Sequence, residues 1–503
     1  MARPAGRTGW DVAEACLAVA AFAVLCVLVF RATPYLPEPD DNAYRASIVA
    51  MTDGHFFTLS WAQAHALAGQ LVPQLGQYRL GPGAGGGPVQ WVQLAGDRWI
   101  SEKDPGYPYL AVAFQALGVI WLAPLFYGAL ACLGLYAGGR RWLGGFGGAA
   151  AVGLYCSSGA AILFAWRDYL PTFTEASLIA AGTGALLWAV LAAGASTRRR
   201  TWAGLAGFVA LEAATFSRYT NIVVLGCAVI AVLAAWRLRA GRLPGSAVAW
   251  WLASVGVFGA GVAVFDTLIY GGPLRSGYQP GEIRFSLSAL GPNLRYMPAH
   301  LIQAMPMLVL GLGALAGIAV TWLRGRRTGG QRAAAARRNL AVALALAACW
   351  AAIWVLYATY TWTAAPSLST LQAARFYVQP WVPSPCWAPG CWSACRASSR
   401  LSRSPRSRSS RRCSGSAAGP SMTCTRSRSG RSSPWCPDQA AQSSSSQARW
   451  RPPASARPSA SGRLAGPAPA RHHDRRTTDA PICYSPPTQF ARKSVMRRTS
   501  CVR

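Results

Sequence analysis

The sequence predicts an all-α fold, a polytopic transmembrane helical bundle with a long extracytoplasmic first loop. Hydrophobic residues make up 52% of the 503 residues, and charged residues only 13%. The apolar residues fall in long blocks, each close to the roughly 20 residues that a helix needs to cross a bilayer. Short arginine clusters separate the blocks, which is typical of the loops of a multi-pass membrane protein.

Nine apolar blocks are predicted to cross the membrane. The first follows two arginines and has no clear small-residue cleavage signal, so we expect a retained anchor and not a signal peptide. The nine blocks lie near residues 13–30, 119–138, 146–165, 172–193, 202–217, 219–235, 247–269, 301–322 and 339–360.

The arginine clusters between the blocks predict the orientation of the chain. If the N-terminus is cytoplasmic, all of them fall in cytoplasmic loops, as short cationic loops should. The clusters include Arg140-Arg141 and Arg198-Arg199-Arg200. The segments near residues 31–107, 270–300 and 361–377 then lie outside. Richness in arginine, alanine, glycine and proline suggests a GC-rich bacterial gene, and hence a bacterial plasma (inner) membrane.

The net charge of +32 does not indicate a nucleic-acid partner, because of where the charge lies. From Ser384 onward the chain holds 22 basic and three acidic residues. Most of the remaining excess lies in short loops, where membrane topology explains it. None of the 14 cysteines has convincing zinc-site or redox spacing.

The composition changes abruptly after Val378, which divides the chain into residues 1–378 and residues 379–503. The second part is rich in Arg, Ser and Pro, as a disordered cationic tail would be. Shifting the reading frame by one base turns every Cys-Trp pair into Leu, and apolar spans reappear. We therefore expect residues 379–503 to be out-of-frame translation. A genuine cationic tail is the alternative, and only that alternative would leave room for a basic RNA-binding segment.

Two groups of charged residues in the first outer segment are candidates for chemistry. Asp40 and Asp41 precede a predicted short helix in which Tyr44 lies one turn on. Helix capping explains one of these carboxylates, less readily two. The stretch SEKDPGYPYLA, residues 101–111, brings two acids and a lysine to the start of the next membrane-directed segment. Solvated loop charges are the alternative interpretation there.

Other ionisable residues lie within or at the ends of the predicted spans. Glu175, Glu212 and Arg218 are costly to place there and so are functional candidates. Arg167 and Asp168 fall on the outer side and could border the same site. Structural pairing or snorkelling explains each of them equally well.

Four motifs resemble those of a known family. They are Pro39-Asp40-Asp41 with Tyr44, Asp104-Pro105-Gly106-Tyr107-Pro108, FDTLIYGGPLRSGY at residues 265–278, and ARFYV at residues 374–378. In order and chemistry they resemble the C-type (GT-C) glycosyltransferases, which use polyprenyl-phosphate sugars and include the protein O-mannosyltransferases and lipid A aminoarabinose transferases. The resemblance covers about residues 10–378. Departures are Asp41, where relatives often have Glu, and Asp104, where they have proline.

The resemblance implies transfer of a sugar from a polyprenyl-phosphate donor to an extracytoplasmic acceptor: a cell-wall glycan, a glycolipid or a protein. Asp40 would be the catalytic base, and Asp41 its partner or an alternative base. Lys103 and Arg375 would contact the donor phosphate. The candidates for the rest of the pocket are Tyr44, Glu102, Asp104, Tyr107 and Arg218.

Two questions stay open at the level of sequence. A transporter or flippase for lipid-linked saccharides would also have many spans, but it should carry charges deep within spans and have small outer loops. The long charged first outer segment favours the enzyme. No cofactor is indicated with certainty, although two adjacent carboxylates could hold a divalent metal.

Overall fold

The structure, a computed structural model, describes residues 8–32, 39–71, 87–144, 146–192, 194–238, 243–273, 275–278, 283–328, 330–364 and 375. The predicted tail, residues 379–503, lies outside the described residues, so its out-of-frame origin stays a prediction. Residues 81–86 and all of the ARFYV motif except Arg375 also lie outside the described residues.

Within the described part, helices form wherever the sequence has an apolar block, since a helix satisfies its own backbone hydrogen bonds in lipid. The fourteen α-helices are α1 Thr8–Arg31, α2 Pro39–Thr52, α3 Trp61–Leu71, α4 Gly106–Ala116, α5 Leu122–Leu143, α6 Gly147–Cys156, α7 Gly159–Ala165, α8 Thr172–Leu191, α9 Thr197–Ser217, α10 Ile222–Arg237, α11 Gly245–Tyr270, α12 Leu290–Ala304, α13 Met307–Thr328 and α14 Gly330–Ala358. Short 3-10 helices cover Tyr219–Asn221, Leu287–Ala289 and Trp362–Ala364.

Seven helices of the described chain are long and apolar enough to cross a membrane, and a bent pair makes up to eight. The polytopic helical fold predicted from the sequence is thus confirmed, whereas the count of nine stays a prediction. Helix α9 accounts for the difference. It has 21 residues, but it begins with Arg198-Arg199-Arg200 and carries Glu212, which lower its hydropathy.

The bent pair replaces a single predicted span at residues 146–165. Helices α6 and α7 meet there at an angle of 60°. Two serines stand at the break, and the hydroxyl of Ser158 accepts a hydrogen bond from the backbone N–H of Ala161 at 3.4 Å. Because this hydroxyl caps a new helix, it competes with continuation of the preceding one.

Small residues allow the central helices α5 and α8 to pack closely. A Cβ atom placed on Gly184 would lie 2.1 Å from the backbone oxygen of Gly134, so both helices approach through bare backbone. Gly182 of α8 faces Gly207 of α9 in the same way. Close packing through small residues is the usual means by which helices associate in membranes.

The basic ends of several helices meet at one end of the bundle. Arg140, near the end of α5, forms an ion pair with Asp11 at the start of α1, at 2.5 Å. Arg141 donates to the backbone oxygen of Leu191 at the end of α8, at 2.9 Å. Arg200, from the second cluster, donates to the backbone oxygen of Ala189 near the end of α8, at 2.9 Å. Two clusters predicted to share the cytoplasmic side therefore lie at the same end of the bundle.

The segment between α1 and α4 contains α2, α3 and a small three-stranded sheet in the order β1-β3-β2. The strands are β1 Leu59–Ser60, β2 Trp91–Leu94 and β3 Arg98–Ser101, and both pairings are antiparallel. Trp91 and Trp99 are buried against α2 and α3. This packing fixes α2 and the residues after β3, which are the two stretches that carry the predicted charges.

Candidate active site

A cavity of about 170 Å³ lies at the end of the bundle opposite to the basic ends. It forms where α2 begins, where β3 leads into α4, where α9 gives way to α10, and beyond the ends of α11 and α14. Its walls are Asp40, Tyr44, Lys103, Asp104, Leu170, Arg218, Tyr219, Thr220, Ser276, Tyr278, Ile283, Phe285, Tyr357, Tyr360 and Arg375. Each of the four motifs recognised in the sequence contributes at least one residue to these walls.

The structure brings together most of the residues that the sequence predicts to form the site. Six of them line the cavity directly: Asp40, Tyr44, Lys103, Asp104, Arg218 and Arg375. Glu102 lies one contact behind the wall, through its ion pair with Lys103 at 2.9 Å. Asp41 and Tyr107 are not among the wall residues.

Asp40 lies between two cations, one on each of its carboxylate oxygens. Lys103 Nζ is 3.2 Å from Oδ1, and Arg375 Nη1 is 3.0 Å from Oδ2. Burial alone would raise the pKa of Asp40, but the charges of Arg375 and Lys103 outweigh it and hold the pKa well below its usual range. At neutral pH Asp40 is therefore a carboxylate, held by salt bridges on both sides.

Lys103 is the central cation of the site. Besides its ion pairs with Asp40 and Glu102, its ammonium group lies 5.0 Å from the centre of the Tyr278 ring, a cation–π distance. Burial would lower its pKa, yet the two carboxylates raise it above the usual value. Lys103 thus stays protonated although its side chain is only 10% exposed.

Arg218 is a third cation of the cavity wall, and it lies between α9 and the 3-10 helix that follows. Its Nη2 lies 3.0 Å from Glu175 Oε1, and Glu175 is fully buried at the start of α8. The amide of Asn221 donates a further hydrogen bond to Glu175, at 3.1 Å. Two residues singled out in the sequence as costly charges therefore neutralise each other.

Asp104 lies on the cavity wall within electrostatic reach of Arg218 and Glu175. Burial raises the pKa of Asp104 to about 7; Arg218 works against this shift and Glu175 adds to it. Lys103 and the backbone amide of Tyr219 also act to lower this pKa. Asp104 is therefore the wall residue whose protonation changes near neutral pH.

Asp41 faces away from the cavity, unlike its neighbour. Its carboxylate is paired with Arg167, whose Nε donates to Oδ1 at 3.1 Å and whose Nη2 contacts the other oxygen. Both side chains are buried. The structure thus places Asp41 in a pairing between α2 and the loop before α8, and its expected role as partner or alternative base stays a prediction.

Tyr107 supports the wall from behind. It is fully buried, its hydroxyl donates to the backbone oxygen of Asp168, and its ring packs edge-on against Tyr44 with the centroids 6.0 Å apart. Asp168 lies in the loop before α8, next to Arg167. Burial raises the pKa of Asp168 to about 6, and the nearby Asp41 adds to the shift.

Aromatic side chains form much of the remaining wall, and the sequence analysis did not single most of them out. Tyr219 lies just after the end of α9, whereas Tyr357 and Tyr360 lie at the end of α14, so they come from two distant places in the chain. The hydroxyls of Tyr357 and Thr220 form a hydrogen bond of 2.7 Å across the α10 and α14 ends. Only Tyr278 could have been found, since it closes the third motif.

The described residues do not group into a metal site of three or more histidine, cysteine or carboxylate ligands. The two carboxylates that suggested a metal diverge, because Asp40 meets Lys103 and Arg375 while Asp41 meets Arg167. As placed, these carboxylates already have cationic partners, so their donor set does not fit a divalent ion.

Comparisons with known proteins give similarity at the level of structure. No family model matches the chain, and no curated protein does. Two crystal structures are similar. ArnT from Cupriavidus metallidurans in the apo state has 17% identity and a TM-score of 0.46, over 77% of this chain and 60% of that one. ArnT from the same organism bound to undecaprenyl phosphate has 18% identity and a TM-score of 0.44, over 76% and 60%.

The matched region thus spans about three-fifths of the length of each solved chain. The similarity is one of structure, at a sequence identity of 17–18%. The roles of individual residues are argued below from the geometry of this chain.

Proposed function

We propose that the protein is a membrane glycosyltransferase that moves a sugar from a polyprenyl-phosphate donor to an acceptor hydroxyl outside the cytoplasm. One observation carries the proposal. Four motifs that are far apart in the sequence meet at a single cavity, and the cations Lys103, Arg218 and Arg375 line this cavity beside carboxylates at the end of a membrane bundle.

The cations suit the donor phosphate. In the transfer, the acceptor oxygen forms a bond to the anomeric carbon while the bond between that carbon and the phosphate oxygen breaks. The leaving phosphate gains negative charge, and charge-assisted hydrogen bonds stabilise it. Lys103 and Arg375 would supply these contacts, since both line the cavity and both already bind an anionic group, Asp40.

The rest of the cavity suits a sugar next to a bilayer. The tyrosine rings of the wall offer flat apolar faces for the ring carbons and hydroxyls for its polar edges. The cavity lies at the ends of helices long enough to cross the membrane, so the prenyl chain can stay in lipid while its phosphate enters the site. The acceptor hydroxyl would belong to a cell-wall glycan, a glycolipid or a protein.

The test of this function is binding and turnover of the donor by Lys103→Gln. Purified full-length protein in liposomes is given synthetic polyprenyl phosphate and a panel of polyprenyl-phosphate sugars. Loss of a charged contact costs about 1.5–3 kcal/mol. We therefore expect the affinity for polyprenyl phosphate to fall by about 10- to 100-fold.

The control for this test is Arg98→Gln. Arg98 is an exposed cation on β3, and it is not among the cavity residues. Its replacement should leave both binding and turnover unchanged. If wild-type protein neither binds polyprenyl phosphate nor releases it from any donor sugar, the proposed function is wrong.

A further inference from the structure

We propose that a groove at the basic end of the bundle binds a phospholipid with an anionic headgroup. The groove has a volume of about 660 Å³ and is formed by residues of α5, α8 and α9, at the end opposite to the candidate active site. Its walls are Ala137, Ala185, Trp188, Ser196, Arg198, Arg199, Trp202 and Ala203. This inference does not depend on the proposed function.

The groove changes from apolar to cationic along its depth. Ala137, Ala185 and Ala203 come one each from α5, α8 and α9, and each lies about six residues from the basic end of its helix. At 1.5 Å per residue, this distance is roughly 9 Å along the bundle. Arg198 and Arg199 lie in the first turn of α9, at the mouth of the groove. A phospholipid has the same order, with apolar chains on the inside and a charged headgroup on the outside.

Three consecutive arginines at the start of α9 do not suit the helix itself. A helix N-terminus carries partial positive charge and favours acidic residues, yet the first turn of α9 has none. Arg200 is used within the protein, since it donates to the backbone oxygens of Ala189 and Val190 in α8, at 2.9 and 3.3 Å. Arg198 and Arg199 are exposed and line the groove instead. Their charges destabilise the start of α9 unless an anion offsets them.

The protein supplies no such anion within the part of the chain that the structure describes. Neither Arg198 nor Arg199 forms a salt bridge there. The two acids of α1 at this end, Asp11 and Glu14, are instead paired with Arg140, at 2.5 and 3.9 Å. Membrane topology requires positive charge in a cytoplasmic loop, but it does not require that charge at the edge of a groove. The two cations therefore fit an anion from outside the chain.

Two tryptophans of the groove favour a lipid over a soluble anion. Trp188 lies in the last turn of α8, and Trp202 lies in the second turn of α9 with 63% of its surface exposed. Indole rings concentrate where a bilayer meets water, because their body is apolar and their N–H is polar. Basic pockets between membrane helices are typical sites for anionic headgroups. A soluble phosphate would gain nothing from the tryptophans or from the alanines of the floor.

The experiment measures lipid binding by native mass spectrometry of the purified full-length chain in detergent. The probes are phosphatidylglycerol, which is anionic, and phosphatidylcholine with the same acyl chains, which is zwitterionic. We expect phosphatidylglycerol to bind about tenfold more tightly or better. The double variant Arg198→Gln/Arg199→Gln should bind phosphatidylglycerol about 10- to 30-fold more weakly, because it loses two contacts between a cation and the headgroup.

Two further variants separate the groove from a general attraction of basic surfaces. Arg237→Gln is the matched control, since Arg237 is also exposed at a helix end, next to the exposed Trp236, but does not line the groove. It should leave the binding of phosphatidylglycerol unchanged. Ala203→Leu keeps both cations and fills part of the floor of the groove. It should weaken this binding by about threefold or more.

Four results would overturn the inference. The first is equal binding of phosphatidylcholine and phosphatidylglycerol, and the second is unchanged binding of phosphatidylglycerol by the double variant. The third is an equal loss of affinity in Arg237→Gln, which would show that any exposed arginine attracts the lipid. The fourth is displacement of phosphatidylglycerol by an equal concentration of glycerol 3-phosphate, which would assign the groove to soluble anions. Each result leaves the proposed function as it stands, because sugar transfer is tested separately with Lys103→Gln.

Discussion

Two adjacent carboxylates at the start of α2 do different things because consecutive residues of a helix point about 100° apart. Asp40 therefore faces the cavity and its two cations, while Asp41 faces Arg167 in the interior. Helix capping could explain only one acidic residue here. The structure explains the second as a buried link between α2 and the loop before α8.

The pairing of Asp41 with Arg167 should matter for stability. Asp41→Asn removes the charge that neutralises a buried guanidinium, and breaking such a pair typically costs about 3–5 kcal/mol. We expect a lower midpoint of thermal unfolding in detergent. An unfolding midpoint equal to that of wild type would show that the pairing contributes little.

At the scale of elements, the approach of α4 to α9 positions the cavity wall. Gly106 is the first residue of α4, and it directly contacts the backbone at Phe216 and Ser217. Asp104 and Lys103 lie just before this contact, and Arg218 just after it. Any separation of α4 from α9 would therefore move Asp104 away from Arg218.

Gly106→Ala tests this dependence. The new methyl group would lie within 2.5 Å of three backbone atoms of α9, which cannot turn aside as a side chain could. We expect sugar transfer to fall at least tenfold together with a lower unfolding midpoint. Gly226→Ala, in α10, is the matched control, since an added Cβ there meets nothing within 4 Å and both measurements should stay at wild-type values.

The sequence predicts where the helices lie along the chain better than it predicts their bends and their rotation about their own axes. Long apolar blocks locate the membrane helices, and the motifs locate Asp40, Asp104 and Arg375, with Lys103 directly before the second motif, because composition and order are local properties. The bend at Ser158 falls within a continuous apolar block and leaves no such signal. Whether Asp41 faces the cavity depends on the rotation of α2 about its axis, which the packing of Trp91 and Trp99 decides from a distance. The wall tyrosines come from separate elements, and near a membrane such residues usually serve as anchors.

At the scale of the whole molecule, the bundle has two unlike ends. Arg140, Arg141 and Arg200 gather where α5 and α8 finish, whereas the cavity lies where α4 and α8 begin and α9 finishes. Short basic loops are retained in the cytoplasm. The arrangement therefore favours a cytoplasmic basic end and an extracytoplasmic cavity.

Epitope insertion into the full-length chain tests this orientation. A short tag after Gly118, between α4 and α5, should bind antibody on intact spheroplasts. A tag after Ala195, between α8 and α9, should bind only after the membrane is permeabilised. Both positions are in loops of the described chain, so each insertion should leave the helices intact. The reverse labelling pattern would place the cavity in the cytoplasm.

The salt bridges of Asp40 also bear on which anions the protein admits. While no donor is bound, the carboxylate of Asp40 occupies Lys103 and Arg375, so an incoming anion must displace this carboxylate. Free inorganic phosphate must do so from dilute solution with nothing else to hold it. A phosphate carried on a prenyl chain is confined to the bilayer next to the site, which raises its effective concentration. Under the proposed function, we therefore expect the two ion pairs of Asp40 to disfavour soluble anions and to admit lipid-borne ones.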